Sequence, residues 1–181
     1  MTAKTPQPAN DAVKTSLTHV ENTLDPIIFP DSRVLLLGSI PSPKSREIGF
    51  YFGNPQNRFW RVVAALYGEK PLKSISEKID FCKRHHLALC DVLKACDIKG
   101  ASDASIANPI PHNIGALIQD SSICAIFTLG GTATKFYRRY TEQQTGISAR
   151  QLPSTSPANA RMSVEDLVEE FSIIKKFTIV S

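Results

Sequence analysis

Cysteine is scarce in this 181-residue chain, and its four copies are poorly placed for a shared site. Cys82, Cys90, Cys96 and Cys124 include no Cys-x-x-Cys pair, which argues against a zinc centre, an iron–sulfur cluster or a disulfide scaffold. Cys90 and Cys124 sit inside apolar runs and are expected to be buried thiols. Long apolar runs are missing as well. No segment approaches the roughly 18 consecutive apolar residues of a membrane span, and the first 25 residues hold no apolar signal core. The expected setting is therefore intracellular and reducing, with no membrane partner. Two common signatures are also absent: the phosphate-cradling Gly-x-x-x-x-Gly-Lys-Ser/Thr loop and the dinucleotide-binding Gly-x-Gly-x-x-Gly turn. No cofactor and no metal are expected.

Charge of one sign is only mildly in excess. Lys plus Arg number 21 against 17 acidic residues, a formal charge of +4. A coat-like or histone-like protein would be far more basic, but an enzyme that touches a few phosphates need not be. Hydrophobic residues make up 42% and charged residues 21%, ordinary values for a globular protein, and the length suits a single domain. Residues 1–24 are polar and aperiodic, a loose tail with room for one short helix over Ala12–His19; residues 25–181 form the expected domain.

Within that domain, Arg33–Leu37 (RVLLL), Leu87–Leu93 (LALCDVL) and Cys124–Leu129 (CAIFTL) are short apolar runs that predict strands buried on both faces, with Arg150–Leu152 as a fourth. Helices are predicted over Asn57–Tyr67, over Ser74–His85 with Ile75, Ile79 and Cys82 inward, over His112–Asp120, from Gly131 to Tyr140, and over Ser163–Lys176 with Ser163 as cap. Gly38–Asn57 and Cys96–Pro111 read as long loops. The alternation predicts an α/β chain with a mostly parallel sheet covered on both faces. In such folds chemistry lies beyond the carboxyl ends of the strands, where the unusual segments fall.

Three of those segments can carry chemistry. Gly38-Ser39-Ile40-Pro41-Ser42-Pro43-Lys44-Ser45 offers close backbone approach at Gly38 and small hydroxyls, although Gly and Pro also mark plain turns. Gly49-Phe50-Tyr51-Phe52-Gly53-Asn54-Pro55-Gln56-Asn57 places aromatic rings on a Gly-flanked loop, useful as a stacking platform for a planar base. Asn57 reads equally as a helix cap. Pro153-Ser154-Thr155-Ser156-Pro157-Ala158-Asn159 is a stiffened run of hydroxyls suited to phosphates or a groove, or a structural turn.

Taken together, GSIPSPKS, GFYFGNPQNRFW, SDASI and LPSTSPANA resemble the hypoxanthine-DNA glycosylases (DNA-deoxyinosine glycosylases) of the uracil-DNA glycosylase superfamily, over about Phe29 to Phe171. The mismatch-specific uracil and thymine glycosylases are a similar sister branch. The resemblance implies a three-layer α/β/α sandwich around a four-stranded, mostly parallel sheet, with a cleft for a flipped nucleotide. It implies that Gly38, Ser39 and Ile40 belong to the loop that places the catalytic water, with Ser42 beside the substrate. The sister branch carries a water-orienting Asn where this chain has Ile40. Phe52 matches the aromatic that stacks on the base, and Asn57 the asparagine on which the hypoxanthine branch relies. Gly130 stands where that branch often has Asn, followed by Gly131. Pro153, Ser154, Thr155, Ser156 and Asn159 match the loop that grips DNA, with Lys44 and Ser45 as further DNA contacts.

The implied reaction is hydrolysis of the glycosidic bond of a deaminated base in double- or single-stranded DNA, by a monomer. The place would be the cytoplasm of a prokaryote or the nucleus of a eukaryote. Lys44 keeps a lyase reading open beside that of a phosphate-facing lysine. Excision of uracil, mismatched thymine or xanthine, a lesion-binding module with weak catalysis, and a nucleotide-binding domain of similar topology are the alternatives.

Overall fold

Val34, Leu35, Leu36 and Leu37 are each 0% exposed, so the strand they form must be covered on both faces. The computed structural model describes residues 16–179. Strand β1 (Thr18–Glu21) precedes β2 (Val34–Gly38), which holds the apolar run. Helices α1 (Pro43–Ile48), α2 (Phe59–Leu66) and α3 (Ile75–Arg84) follow, then strands β3 (Leu87–Asp91), β4 (Leu93–Lys99) and β5 (Ser102–Pro111). Helix α4 (Ile114–Ile118), strand β6 (Ala125–Leu129), helices α5 (Gly131–Tyr140) and α6 (Glu142–Thr145) and strand β7 (Arg150–Leu152) come next. Helix α7 (Val164–Phe171), a 3-10 turn (Ser172–Ile174) and helix α8 (Lys175–Thr178) complete the described chain.

Four of the strands form one parallel sheet in the order β3-β2-β6-β7, although the run predicted as one strand over Leu87–Leu93 ends in this sheet at Asp91 and Leu93 opens β4. Alternation along each strand feeds two cores. Val34, Leu36, Leu87, Leu89 and Phe127 face α2, α3 and α7, while Leu35, Leu37, Ala88, Cys90 and Ile126 face α4 and α5. This is the three-layer α/β/α sandwich with a four-stranded, mostly parallel sheet. Its helices begin where sequence chemistry says they should. Ser74 with Glu77, and Ser163 with Asp166, close reciprocal capping boxes at α3 and α7.

Several expectations are corrected. The Gly38–Asn57 segment is not a plain loop: α1 lies within it, capped by Ser42, opened by Pro43 and ended by left-handed Gly49. Its only large apolar residue, Ile48, is exposed, so it has no apolar stripe to detect. The Cys96–Pro111 segment is the β4–β5 hairpin, turned at Gly100 with φ of 59°. With β1 it makes a second, antiparallel sheet of order β1-β4-β5. Repeated register shifts and the mostly exposed face of β5 destroy the period-two pattern that would have revealed it. Ile75 is not inward: with Ser76 and Glu77 it is exposed at the start of α3. Cys124 is exposed, just ahead of β6, whereas Cys82, Cys90 and Cys96 are buried. The proposed helix over Ala12–His19 lies largely outside the described residues, but Thr18 and His19, at its end, are in β1. The last helix closes at Phe171 and passes through the 3-10 turn into α8.

Candidate functional site

A cleft of about 880 Å³ opens at the carboxyl ends of the parallel strands. Four segments wall it: the loop after β2, the turn from Phe52 to Asn57, the β4–β5 hairpin tip and the loop after β7. None of its lining residues among those described is a lysine.

The loop after β2 begins at Gly38, which pairs with Asp91 across the sheet. A Cβ at Gly38 would stand 2.4 Å from Asp91 Oδ1. The glycine therefore makes room for a carboxylate of the protein itself. Ser39, next in line, donates its hydroxyl to Asp103 Oδ2 at 2.6 Å. Ile40 is buried in the core that faces α4 and α5 and contributes an apolar patch to the cleft. Ser42 lines the cleft while its Oγ accepts the Ser45 N–H at 3.1 Å.

Lys44 and Ser45, expected as DNA contacts, lie outside the cleft lining. Ser45 is buried, and its hydroxyl accepts from Gly53 N–H at 3.1 Å, tying α1 to the aromatic turn. Lys44 is exposed and pairs with Glu47 at 2.9 Å, outside the lining.

Of the three consecutive aromatics, Phe50 and Tyr51 are core residues and only Phe52 faces the cleft. Phe52 has a φ of 52°, a left-handed conformation that costs a non-glycine residue about 1 kcal/mol or more. The ring is held by stacking on Phe59 at 4.0 Å between centroids. Its neighbour Asn57 is half-buried, and its amide orientation is fixed by its partners. Oδ1 accepts the Phe59 N–H at 2.9 Å and the Thr155 hydroxyl at 2.9 Å. A backbone N–H can only donate, so that atom must be the oxygen. The Asn57 NH₂ group has no partner among the described residues and borders the cleft.

The loop after β7 is fastened by Arg58, whose side chain donates to four backbone carbonyls: Thr155, Ser156 at 3.0 Å, Asn159 at 2.7 Å and Met162. Thr155 is buried, with its hydroxyl donating to Asn57 Oδ1, and it still borders the cleft. Ser154, Thr155, Ser156, Pro157 and Asn159 line the cleft; Pro153 does not. Ser154 and Ser156 hydroxyls accept the Ser156 and Ala158 N–H groups, and the Asn159 amide donates to Ser154 O at 3.0 Å. Gly130 and Gly131 stand behind this loop at the start of α5, outside the lining. Gly130 has a φ of 89°, and a Cβ there would meet Ser154 Cβ at 3.3 Å.

Two carboxylates set the electrostatics. Burial pushes Asp91 up to about 7; the Asn22 amide, donating at 3.2 Å, pulls it partly back, and the Asp103 charge raises it again. Asp103 lies on the exposed start of β5, yet the cleft wall partly desolvates its carboxyl and raises it, against the opposing hydrogen bond from Ser39. Asp91, Asp103, Asn22 and Arg58 were not picked out from the sequence as site residues. The SDASI motif contains Asp103, and an acid ending the apolar run of β3 was the available signal for Asp91. Among the described residues no three His, Cys, Asp or Glu side chains gather to hold a metal ion, and no helix is long and apolar enough to cross a membrane.

A donor amide and an aromatic ring thus border one cleft at the strand ends of this sandwich. The chain belongs to the Uracil DNA glycosylase superfamily, whose family model matches residues 26–173. It is 30% identical over 138 residues to the hypoxanthine DNA glycosylase of Methanosarcina acetivorans, covering 76% of this chain and 87% of that protein. It is 29% identical to the hypoxanthine DNA glycosylase of Methanosarcina barkeri, covering 75% and 86% respectively. A solution NMR structure of a candidate uracil DNA glycosylase from Methanosarcina acetivorans superposes with a TM-score of 0.76 at 26% identity, over 90% of this chain and all of that one. Its general activity is that of a DNA glycosylase acting on a deaminated base.

Proposed function

We propose that the chain is a monofunctional glycosylase that hydrolyses the glycosidic bond of deoxyinosine in DNA, releasing hypoxanthine and leaving an abasic site. The observation that carries this reading is the Asn57 amide: its oxygen is consumed at Phe59 and Thr155, so it offers the cleft a donor. Bond cleavage builds negative charge on the departing purine, and a fixed N–H at that point stabilises it without reorganisation. Phe52 supplies the stacking face. The Ser154–Asn159 loop lies at the cleft rim, where it is placed to press beside the extruded nucleotide. Flipping costs a few kcal/mol, and less at a mispaired inosine than at a matched pair.

The two hypoxanthine-excising relatives support the substrate, and Ile40 in place of a water-orienting amide weighs against uracil. The absence of lysine from the lining supports hydrolysis over lyase chemistry. The enzyme acts as a monomer on double- or single-stranded DNA. Labelled duplexes carrying inosine, uracil, xanthine or a G·T mismatch, treated with alkali after incubation, test the reading. Inosine strands are expected to break fastest and only after alkali. Faster excision of uracil than of hypoxanthine overturns the substrate assignment, and no excision from any duplex overturns the glycosylase reading.

A further inference from the structure

The glycosylase reading leaves one participant unassigned: the group that takes the proton of the attacking water. Asn57 cannot be it, because both hydrogen bonds that its oxygen accepts come from fixed protein donors. Ile40 has no polar atom. Ser39 has already committed its hydroxyl proton to a carboxylate.

We propose that Asp103, at the tip of the β4–β5 hairpin, is the catalytic base of this cleft, and that Asn57 acts only as a donor to the leaving base. The placement is specific. Asp103 lines the cleft, on the wall formed by the hairpin tip. One carboxylate oxygen, Oδ2, accepts the Ser39 hydroxyl at 2.6 Å, which fixes the group against the loop after β2. The other oxygen, Oδ1, has no hydrogen-bond partner among the described residues and remains to accept from a water. The carboxylate comes from a hairpin remote in sequence from Ser39 and is thus supplied to a loop that lacks an acid of its own.

The step balances as follows. Water oxygen bonds to the sugar C1′ as the C1′–N9 bond breaks, and the electron pair of that bond leaves with hypoxanthine. Asp103 takes the water proton, while the Asn57 N–H bonds to the purine anion. The carboxyl then returns the proton to the released base, which restores the carboxylate and yields a neutral purine and an abasic sugar.

The ionisable groups that feel the Asp103 charge are Asp91 at the end of β3 and Cys96 on β4; Arg46 on α1 lies near Cys96, and Arg161 also lines the cleft. On the hairpin itself, Asp97 pairs with His19 at 2.8 Å. Asp91 is the one neighbour able to mimic an Asp103 titration, and the test separates the two.

The proposal rests on the glycosylase reading. The experiment is single-turnover base release from a duplex with one deoxyinosine, or from whichever panel duplex the parent protein cleaves, measured across pH. A thermal melt and the affinity for the same duplex are taken on each preparation. The parent rate should rise through an acid limb to a plateau. Asp103→Asn should melt and bind DNA like the parent, react about a hundredfold more slowly, and lose the limb. Asp103→Glu should recover part of the rate. Ser39→Ala, which removes a bond that favours the charged form, should move the limb to higher pH. The limb should persist in Asp91→Asn. If Asp103→Asn stays within threefold of the parent, or if the limb disappears in Asp91→Asn instead, Asp103 is not the base while the glycosylase reading stands. If the parent releases no base from any duplex, both fall.

Discussion

Asn57 Oδ1 and the Thr155 hydroxyl meet at 2.9 Å across 98 residues of chain, and this bond joins the aromatic turn to the loop after β7. With the Phe59 N–H it fixes which end of the Asn57 amide faces the cleft. The N-cap of α2 is Arg58 rather than Asn57, but Asn57 Oδ1 still holds the first N–H of the helix, so one side chain braces the helix start and keeps its NH₂ as a donor.

Asn57→Asp separates those two roles. Aspartate keeps the oxygen that accepts from Phe59 and Thr155 and holds a helix-start N–H as well as asparagine does. The melt should stay within a few degrees of the parent. The NH₂ donor is gone, and a negative charge stands where negative charge develops, so the chemical step should slow by about a hundredfold or more. A rate within threefold of the parent in single-turnover release of hypoxanthine makes Asn57 a brace alone.

Asp91 predicts a particular pH dependence of stability. Its carboxyl is held up to about 7 in the folded protein, against 3.8 for the ordinary group. The protonated form therefore favours the fold. This contribution is fully present below about pH 4 and is lost as pH rises towards about 7, on the order of 4 kcal/mol in all. Asp91→Asn, which cannot ionise, should leave the melt at about pH 4 nearly unchanged and raise it by several degrees at about pH 8. An equal melting temperature for the two proteins at the higher pH refutes the buried-acid account.

Gly38→Ala tests the contact behind the cleft. The new methyl would lie 2.4 Å from Asp91 Oδ1, so backbone or carboxylate must move, at a cost of about 2 kcal/mol. The same change made together with Asp91→Ala should cost clearly less than the sum of the two single variants. Additive denaturation energies would show that the glycine serves something other than the carboxylate.

Arg58→Met leaves the carbonyls of the loop after β7 without their shared donor. The sheet does not depend on that side chain, so cooperative unfolding should persist, while affinity for an inosine duplex should fall by about tenfold or more as the loop loses its shape. Unchanged affinity by fluorescence anisotropy would remove Arg58 from the DNA-binding account.

The parallel sheet was legible because its strands are short apolar runs bounded by turns, and Val34 to Leu37 could only be central. The cleft was legible where residue type and location coincide, as at Phe52 and Asn57. What stayed hidden was contact across the chain. Nothing local marks Asp103 as the partner of Ser39, or Thr155 as the partner of Asn57. Hydroxyl-rich runs also hide internal bonds: Ser45 accepts from Gly53 N–H and Thr155 donates to Asn57, pairings that no local pattern announces. The β4–β5 hairpin was obscured by its own bulges, and α1 by the lack of any apolar stripe.

Strands β3 and β4 are separated by Val92 alone, so nearly continuous extended chain leads from the parallel sheet to the outlying hairpin. Asp91 and Ser39 sit on the fixed jaw of what amounts to a caliper, and Asp103 rides on the other. Each residue added along an extended arm advances the tip by about 3.3 Å. Two residues inserted in each arm would carry the carboxylate about 7 Å past the serine hydroxyl while leaving every strand of the parallel sheet in register. The length of this one outlying ribbon, rather than anything in the sheet, gauges whether the cleft has an acid at its mouth.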